Sequence, residues 1–152
     1  MLQLRKANVT DYQLCKELYE EDKYQWMYFP HNIEDSVDRI FDEIVDYSFE
    51  KFEKDLKTYK IFMIEENGNV LGNLRIFYSG YGTYKLEDWS MFENNDSVKR
   101  KVVKELMKNL SSTRFKRITV HVTYEVAREF LKSVGFSSYN STQFLELKLY
   151  KN

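Results

Sequence analysis

Residues 60 to 78, KIFMIEENGNVLGNLRIFY, place two apolar runs on either side of Asn67-Gly68. An Asn-Gly connection between runs of this kind predicts a tight hairpin, because both residues tolerate the positive φ of a type I′ turn. That pairing constrains its neighbours. After the glycine-containing turn SGYG, the stretch TYKLEDWSMF reads as a further strand, which makes a three-strand meander. At the start of the chain, LQLRKA alternates Leu2 and Leu4 with charged residues as a first strand. Two helical patterns lie between. In the first, Thr10 and Gln13 form a capping box ahead of DYQLCKELYEE, where Leu14 and Leu18 stack at i, i+4. An aromatic connection, DKYQWMYFPHN, leads to the second. There Asn32 caps a long helix whose stripe of Ile33, Val37, Ile40, Phe41, Ile44 and Val45 persists to about Phe52.

Beyond the meander, a helix from about Val98 carries Val102, Leu106 and Leu110 on one face. RITVHV turns Ile118, Val120 and Val122 to one side of a strand, YEVAREFLKSV is a short amphipathic helix stopped by Gly135, and QFLELKLY is a last strand. The order is therefore β-α-α-β-β-β-α-β-α-β. It predicts a single domain over residues 1–152 of α/β (α+β) class, a mixed central sheet with helices on both faces.

Composition narrows the function classes. A chain of 152 residues that is 43% hydrophobic, with 12 Tyr and 11 Phe, has ample material for one packed core, and disorder is excluded. The formal net charge of −1 gives no global field toward nucleic acid or an anionic membrane. The local basic runs KRK at 99–101 and RFKR at 114–117 come with no RNA-binding motif. Charge appears after four residues in MLQLRKANVT and the apolar runs are short, so neither a signal peptide nor a membrane span is expected, and the expected location is cytoplasmic. Cys15, the one cysteine, cannot form an internal disulfide and reads as a buried, inert thiol beside Leu14 and Leu18. The Asn-x-Ser/Thr triplets at Asn8, Asn95, Asn109 and Asn140 are then chance products of an Asn-rich chain. His31 and His121 have no second His or Cys at ligand spacing, so no metal site is expected.

LEDWSMF…VKRKVVKELM and AREFLKSVGF, with the opening LRKAN…D, carry a resemblance to the GNAT family of acyl-CoA-dependent N-acyltransferases. The element order extends it over essentially the whole chain. The resemblance implies a GNAT-like mixed sheet, acetyl-CoA as acyl donor between strands four and five, and a primary amine as acceptor. In that family an Arg/Gln-x-x-Gly-x-Gly/Ala segment turns from strand four into helix three, where backbone N–H groups and the helix start hold the pyrophosphate. The matching stretch here is ENNDSVKRK, which lacks glycine and puts Asn95, Ser97 and Lys99 at the small-residue positions. Met91, Asn95, Ser97, Val98, Lys99 and Arg100 are accordingly the implied cofactor contacts. Asn reaches the left-handed region cheaply and Ser is small, so the turn stays feasible. Lys99, Arg100 and Lys101 sit in the first helical turn, where cations oppose the helix dipole until a polyanion binds. Asp96 or Ser97 can alternatively cap the helix and take those N–H groups.

The family's carboxylate base on strand four falls on Glu87, which by alternation shares a face with Trp89 and Met91, while Asp88 points the other way. A backbone N–H near Met91 would polarise the acyl carbonyl. The family's frequent Phe-Tyr on helix four becomes Phe130-Leu131, so the usual proton donor is absent; Tyr124 either takes that role or packs as an aromatic cap on the helix. Trp26, Tyr28 and Phe29, with Tyr24, either line an acceptor pocket or anchor the helix pair. The acids Glu34, Asp35, Asp38, Asp42, Glu43 and Asp46 that follow either favour an amine or form a wet face. Expected partners are a small-molecule or peptide amine, with no membrane and no nucleic acid, and with room for a homodimer. The rival class is a GNAT-fold binding or regulatory module that has lost acyl transfer.

Overall fold

The computed structural model describes residues 1–21, 26–27, 47–111, 117–139 and 141–148. The strands are β1 (Leu2–Lys6), β2 (Lys60–Glu66), β3 (Asn69–Gly80), β4 (Thr83–Met91), β5 (Arg117–His121), β6 (Ser137–Tyr139) and β7 (Ser141–Lys148). The helices are α1 (Tyr12–Glu21), α2 (Phe49–Thr58), α3 (Asp96–Ser111) and α4 (Glu125–Ser133), with a 3-10 turn at Val9–Asp11. The strands form one sheet in the order β1-β2-β3-β4-β5-β7-β6. Every pair in it is antiparallel except β4 with β5. A parallel pair needs a long crossover, and α3 supplies it.

Asn67 and Gly68 both take positive φ, 53° and 82°, as a type I′ hairpin requires. Tyr81 and Gly82 repeat the device between β3 and β4, with φ of 55° and 75°. At the end of α4, Gly135 at φ 111° donates to Lys132 O and Phe136 donates to Leu131 O, the paired bonds of a Schellman stop.

The sheet buries both faces. Ile61 and Met63 of β2 pack with Cys15 and Phe52 under α1 and α2. The alternate residue Ile64 joins Leu74, Ile76, Trp89, Val102, Leu106 and Leu131 under α3 and α4. The stripe Val102, Leu106, Leu110 and the set Ile118, Val120, Val122 are buried as their spacing predicted. Cys15 is buried too, and burial pushes its thiol up to about 11.

Three boundaries differ from the sequence reading. The capping box at the first helix belongs to Asn8 and Asp11 rather than Thr10 and Gln13. Asn8 Oδ1 accepts from Thr10 N–H and the Asp11 carboxylate accepts from Asn8 N–H, each at 2.9 Å. Asn is the stronger cap, and Arg5 fixes Asp11 through two bonds of 2.9 Å. The helical signal read from Asn32 to Phe52 lies outside the described residues as far as 46, but its expected end is not at Phe52. Tyr47 and Ser48 are not helical; Ser48 Oγ accepts from Lys51 N–H and starts α2, which runs on to Thr58. Finally, β6 is an added strand whose three polar residues, Ser-Ser-Tyr, carry no alternation to read.

Gly72 lies against β4 with no room for a side chain. A Cβ built there falls 2.2 Å from Ser90 O and 2.8 Å from Met91 Sδ. Gly72→Ala is expected to cost about 1–3 kcal/mol by overpacking, read as a lower urea midpoint at unchanged slope.

Candidate active site

The parallel ladder between β4 and β5 runs only from Thr83–Arg117 to Leu86–Val120. From Glu87 to Met91, β4 continues beside β3 alone among the described residues. The parting has a local cause. On β3, Arg75 opposes Asp88 and Ile76 opposes Leu86, so Glu87 is the extra residue of a β-bulge. Bulges bend and twist the strand that carries them. The bulge also resets the alternation of β4, so Tyr84 and Leu86 share a face with Trp89 and Met91 in the main core. The expectation that Glu87 shares the face of Trp89 and Met91 is therefore corrected. Glu87 is half-buried and pairs with Lys85 at 3.4 Å.

On the α3/α4 side of the freed segment lies a buried aromatic cluster. Trp26 meets Trp89 edge-on at 4.8 Å and Phe130 at 5.8 Å between ring centroids. Lys99 comes from the first turn of α3 and is only 2% exposed. Its Nζ lies 3.8 Å from the Trp26 centroid and 4.7 Å from that of Phe130, hydrogen-bonds Asn94 Oδ1, and pairs with Asp96 at 3.2 Å. Two ring faces, a carbonyl and a carboxylate offset the desolvation of a buried ammonium, each ring contributing ~0.5–2 kcal/mol. Trp26 Nε1 is buried with no hydrogen-bond partner. The neighbouring Met27 carbonyl accepts from Thr123 and Tyr124 N–H, strapping this pair to the start of α4.

On the α1/α2 side lies a polar pocket of about 70 Å³, lined among others by Cys15, Tyr19, Lys51, Arg75, Asp88 and Ser90. Arg75 binds Asp88 Oδ2 and Asp55 Oδ2, each at 3.0 Å, and its guanidinium stacks on Tyr59 at 4.8 Å. Tyr47 donates to Asp55 at 2.9 Å, and burial followed by the Asp55 charge raises its phenol. Asp88 is 19% exposed, and its Oδ1 is buried without a partner. Burial raises its carboxyl above the ordinary value, Arg75 opposes the rise, and Glu87 adds to it.

Among the expected site residues, Asn95 caps α3, its Oδ1 accepting from Val98 N–H at 3.1 Å. That role had been read for Asp96 or Ser97. Ser97 and Arg100 are exposed and Val98 is half-buried. The Arg100 guanidinium lies 5.7 Å over Phe130, while Lys99 turns inward, away from the exposed turn where the pattern placed it. No residue from Phe92 to Asn95 takes a positive φ, so the turn into α3 follows ordinary backbone without glycine. Met91 is buried and its Sδ accepts from Trp89 Nε1 at 3.1 Å. Tyr124 is the half-buried N-cap of α4 and makes no side-chain cap bond. Leu131 and Phe130 are both buried in the core, Phe130 against Trp26. Trp26 lies in the aromatic cluster rather than the polar pocket; Tyr28 and Phe29 are outside the described residues. Sequence reasoning passed over Asp88, Arg75, Asp55 and Tyr47. The one available signal was an Arg and an Asp on the alternating strands of a covered sheet.

An antiparallel meander, a single parallel pair that parts after four residues, and a helix starting beside the gap define the architecture. This is the GNAT fold. An N-acetyltransferase structure from Staphylococcus aureus Mu50 superposes with TM-score 0.74 at 11% identity, covering 98% of each chain. The PaiA N-acetyltransferase of Thermoplasma acidophilum, solved in complex with coenzyme A, gives TM-score 0.71 at 16% identity, covering 97% of this chain and 99% of that one. The ribosomal-protein-S18-alanine N-acetyltransferase of Escherichia coli gives 0.67 at 12% identity, covering 100% and 96%. No family model and no curated protein matches the sequence.

Asp88 makes a pH prediction. Its native carboxyl holds a proton above the unfolded value of about 3.9, so between that value and the raised one the native state binds more protons than the unfolded chain. Stability from this group therefore falls as pH rises through that window. Urea unfolding across pH is expected to show Asp88→Asn gaining on the wild type from about pH 4 toward neutrality. A difference that stays flat would mean Asp88 ionises normally.

Proposed function

We propose that the protein is an acyl-CoA-dependent N-acyltransferase that moves an acetyl group from acetyl-CoA to a primary amine. One observation carries the reading. The stretch of β4 that leaves β5 stands between a buried aromatic cluster holding a cation and a pocket holding a carboxylate of raised basicity. The GNAT fold supports it.

The residues fit the coenzyme. At the start of α3, Asn95, Ser97, Val98, Lys99 and Arg100 would hold its phosphates through cationic side chains and backbone N–H groups, of which Val98's would have to leave Asn95 Oδ1. The glycine-free turn needs no strained backbone, and phosphate is a stronger partner for the Lys99 ammonium than the largely exposed Asp96. Trp26 Nε1 offers a buried donor in the same cluster, and Met91 lines the freed strand. Bound acetyl-CoA supplies an activated thioester. Backbone N–H groups from Glu87 onward would polarise its carbonyl.

Asp88 is the better-placed base. Its Oδ1 is enclosed and its Oδ2 is held by Arg75, and this carboxylate, lining the pocket, would take the ammonium proton of the acceptor. Arg75 holds that carboxylate, and Asp55 holds Arg75. Glu87 acts on Asp88 through its charge, and Tyr124, at the start of α4, is the candidate proton donor to the leaving sulfur. Tyr28 and Phe29, outside the described residues, would add acceptor contacts. Placing both reactants at one gap supplies much of the rate.

Melting temperature against acetyl-CoA tests the reading; about 2.7 kcal/mol of stabilisation is expected at 100 times the dissociation constant. No shift at millimolar acetyl-CoA or longer acyl-CoAs would instead support a module without acyl transfer. Asp88→Asn is expected to lower kcat/KM about 10²–10⁴-fold while leaving acetyl-CoA affinity within about twofold. Lys99→Met keeps the buried stem and removes the charge. Its expected effect is about a tenfold weaker acetyl-CoA affinity by calorimetry, and an unchanged affinity would reduce Lys99 to a packing element.

A further inference from the structure

The polar pocket carries charges of both signs in unusual proximity, and that restricts which amine it can take. Asp88 and Arg75 are paired at 3.0 Å inside it, and Lys51 stands at its exposed rim with Nζ 5.8 Å from the centroid of the Tyr47 ring. The Asp55 carboxylate lies behind Arg75 at 3.0 Å. Of the charged residues lining the pocket, Arg75 and Lys51 are cations and Asp88 is an anion, with Asp55 behind Arg75. A plain alkylammonium that hydrogen-bonds Asp88 must come close to the Arg75 guanidinium, because the two groups are already in contact, and would be repelled by it. A ligand with its own carboxylate beside the ammonium reverses that repulsion. Its ammonium meets Asp88 and its carboxylate meets Arg75 and Lys51.

Size and lining narrow the class further. A pocket of about 70 Å³ holds several waters or a handful of heavy atoms. Its remaining walls include Ile61, the buried Cys15 thiol and the Tyr19 ring, which stacks on Tyr47 at 5.3 Å. These suit a small side chain. We infer that the pocket binds a short zwitterionic amino acid, with the ammonium on Asp88 and the carboxylate on Arg75 and Lys51. The inference rests on the acyltransferase reading only for what then happens to the amine; the binding itself rests on the pocket.

Calorimetric titration without acetyl-CoA separates the two. Glycine and L-alanine are expected to bind at least about tenfold more tightly than ethylamine or acetate. Lys51→Ala, an exposed position that leaves the Asp55–Arg75–Asp88 chain intact, is expected to shrink that preference at least about threefold. Arg75→Gln should abolish it; if that variant fails to fold, the wild-type preference and Lys51→Ala still decide. Equal binding of ethylamine and alanine, or no binding of either amino acid at about 50 mM, would overturn the inference and leave a site for water. Amino-acid binding without acetyl transfer on adding acetyl-CoA would keep the pocket and sink the enzyme reading. Transfer to ethylamine without amino-acid binding would do the reverse.

Discussion

The structure turns on how soon β4 and β5 part. Parallel pairing holds them for four residue pairs, and then the Glu87 bulge bends β4 away. Had the ladder continued to Met91, a hydrogen-bonded strand would close the gap and the sheet would be an uninterrupted wall. Because it stops, one short segment of backbone has Trp89 and Met91 packed in the core on one side, and Asp88 and Ser90 facing a pocket on the other.

Each face of the strand manages buried charge differently. In the aromatic cluster the Lys99 ammonium is met by ring faces, a side-chain carbonyl and an exposed carboxylate. In the pocket the charges are locked to one another. Arg75 is gripped at both ends and stacked on Tyr59, so Asp88 is held in place while burial keeps it basic.

Much of this fold could be read from residues 60–78, the α3 stripe and Gly135, because hairpin turns, helical periodicity and helix stops are local. The caps were legible in kind, since Asn8 with Asp11 and Ser48 ahead of Phe49 both carry the chemistry, but several polar residues competed for each role. The site was harder. Whether Glu87 or Asp88 faces the pocket depends on one extra residue in a strand, and that is fixed by register against β3. Arg75 looks like a solvent-facing residue of an alternating strand until α1 and α2 cover that face. Lys99 sits in a run of three cations, and only the position of Trp26, far off in sequence, draws it inward.

The turn from Phe92 to Asn95 bears on how sequences in this fold can drift. Since its backbone is ordinary at every residue, many side chains can occupy it without unfolding the protein. The demands on this turn are therefore set by what packs against it and not by its own backbone, so its composition is free to vary while the gap between the strands stays where it is.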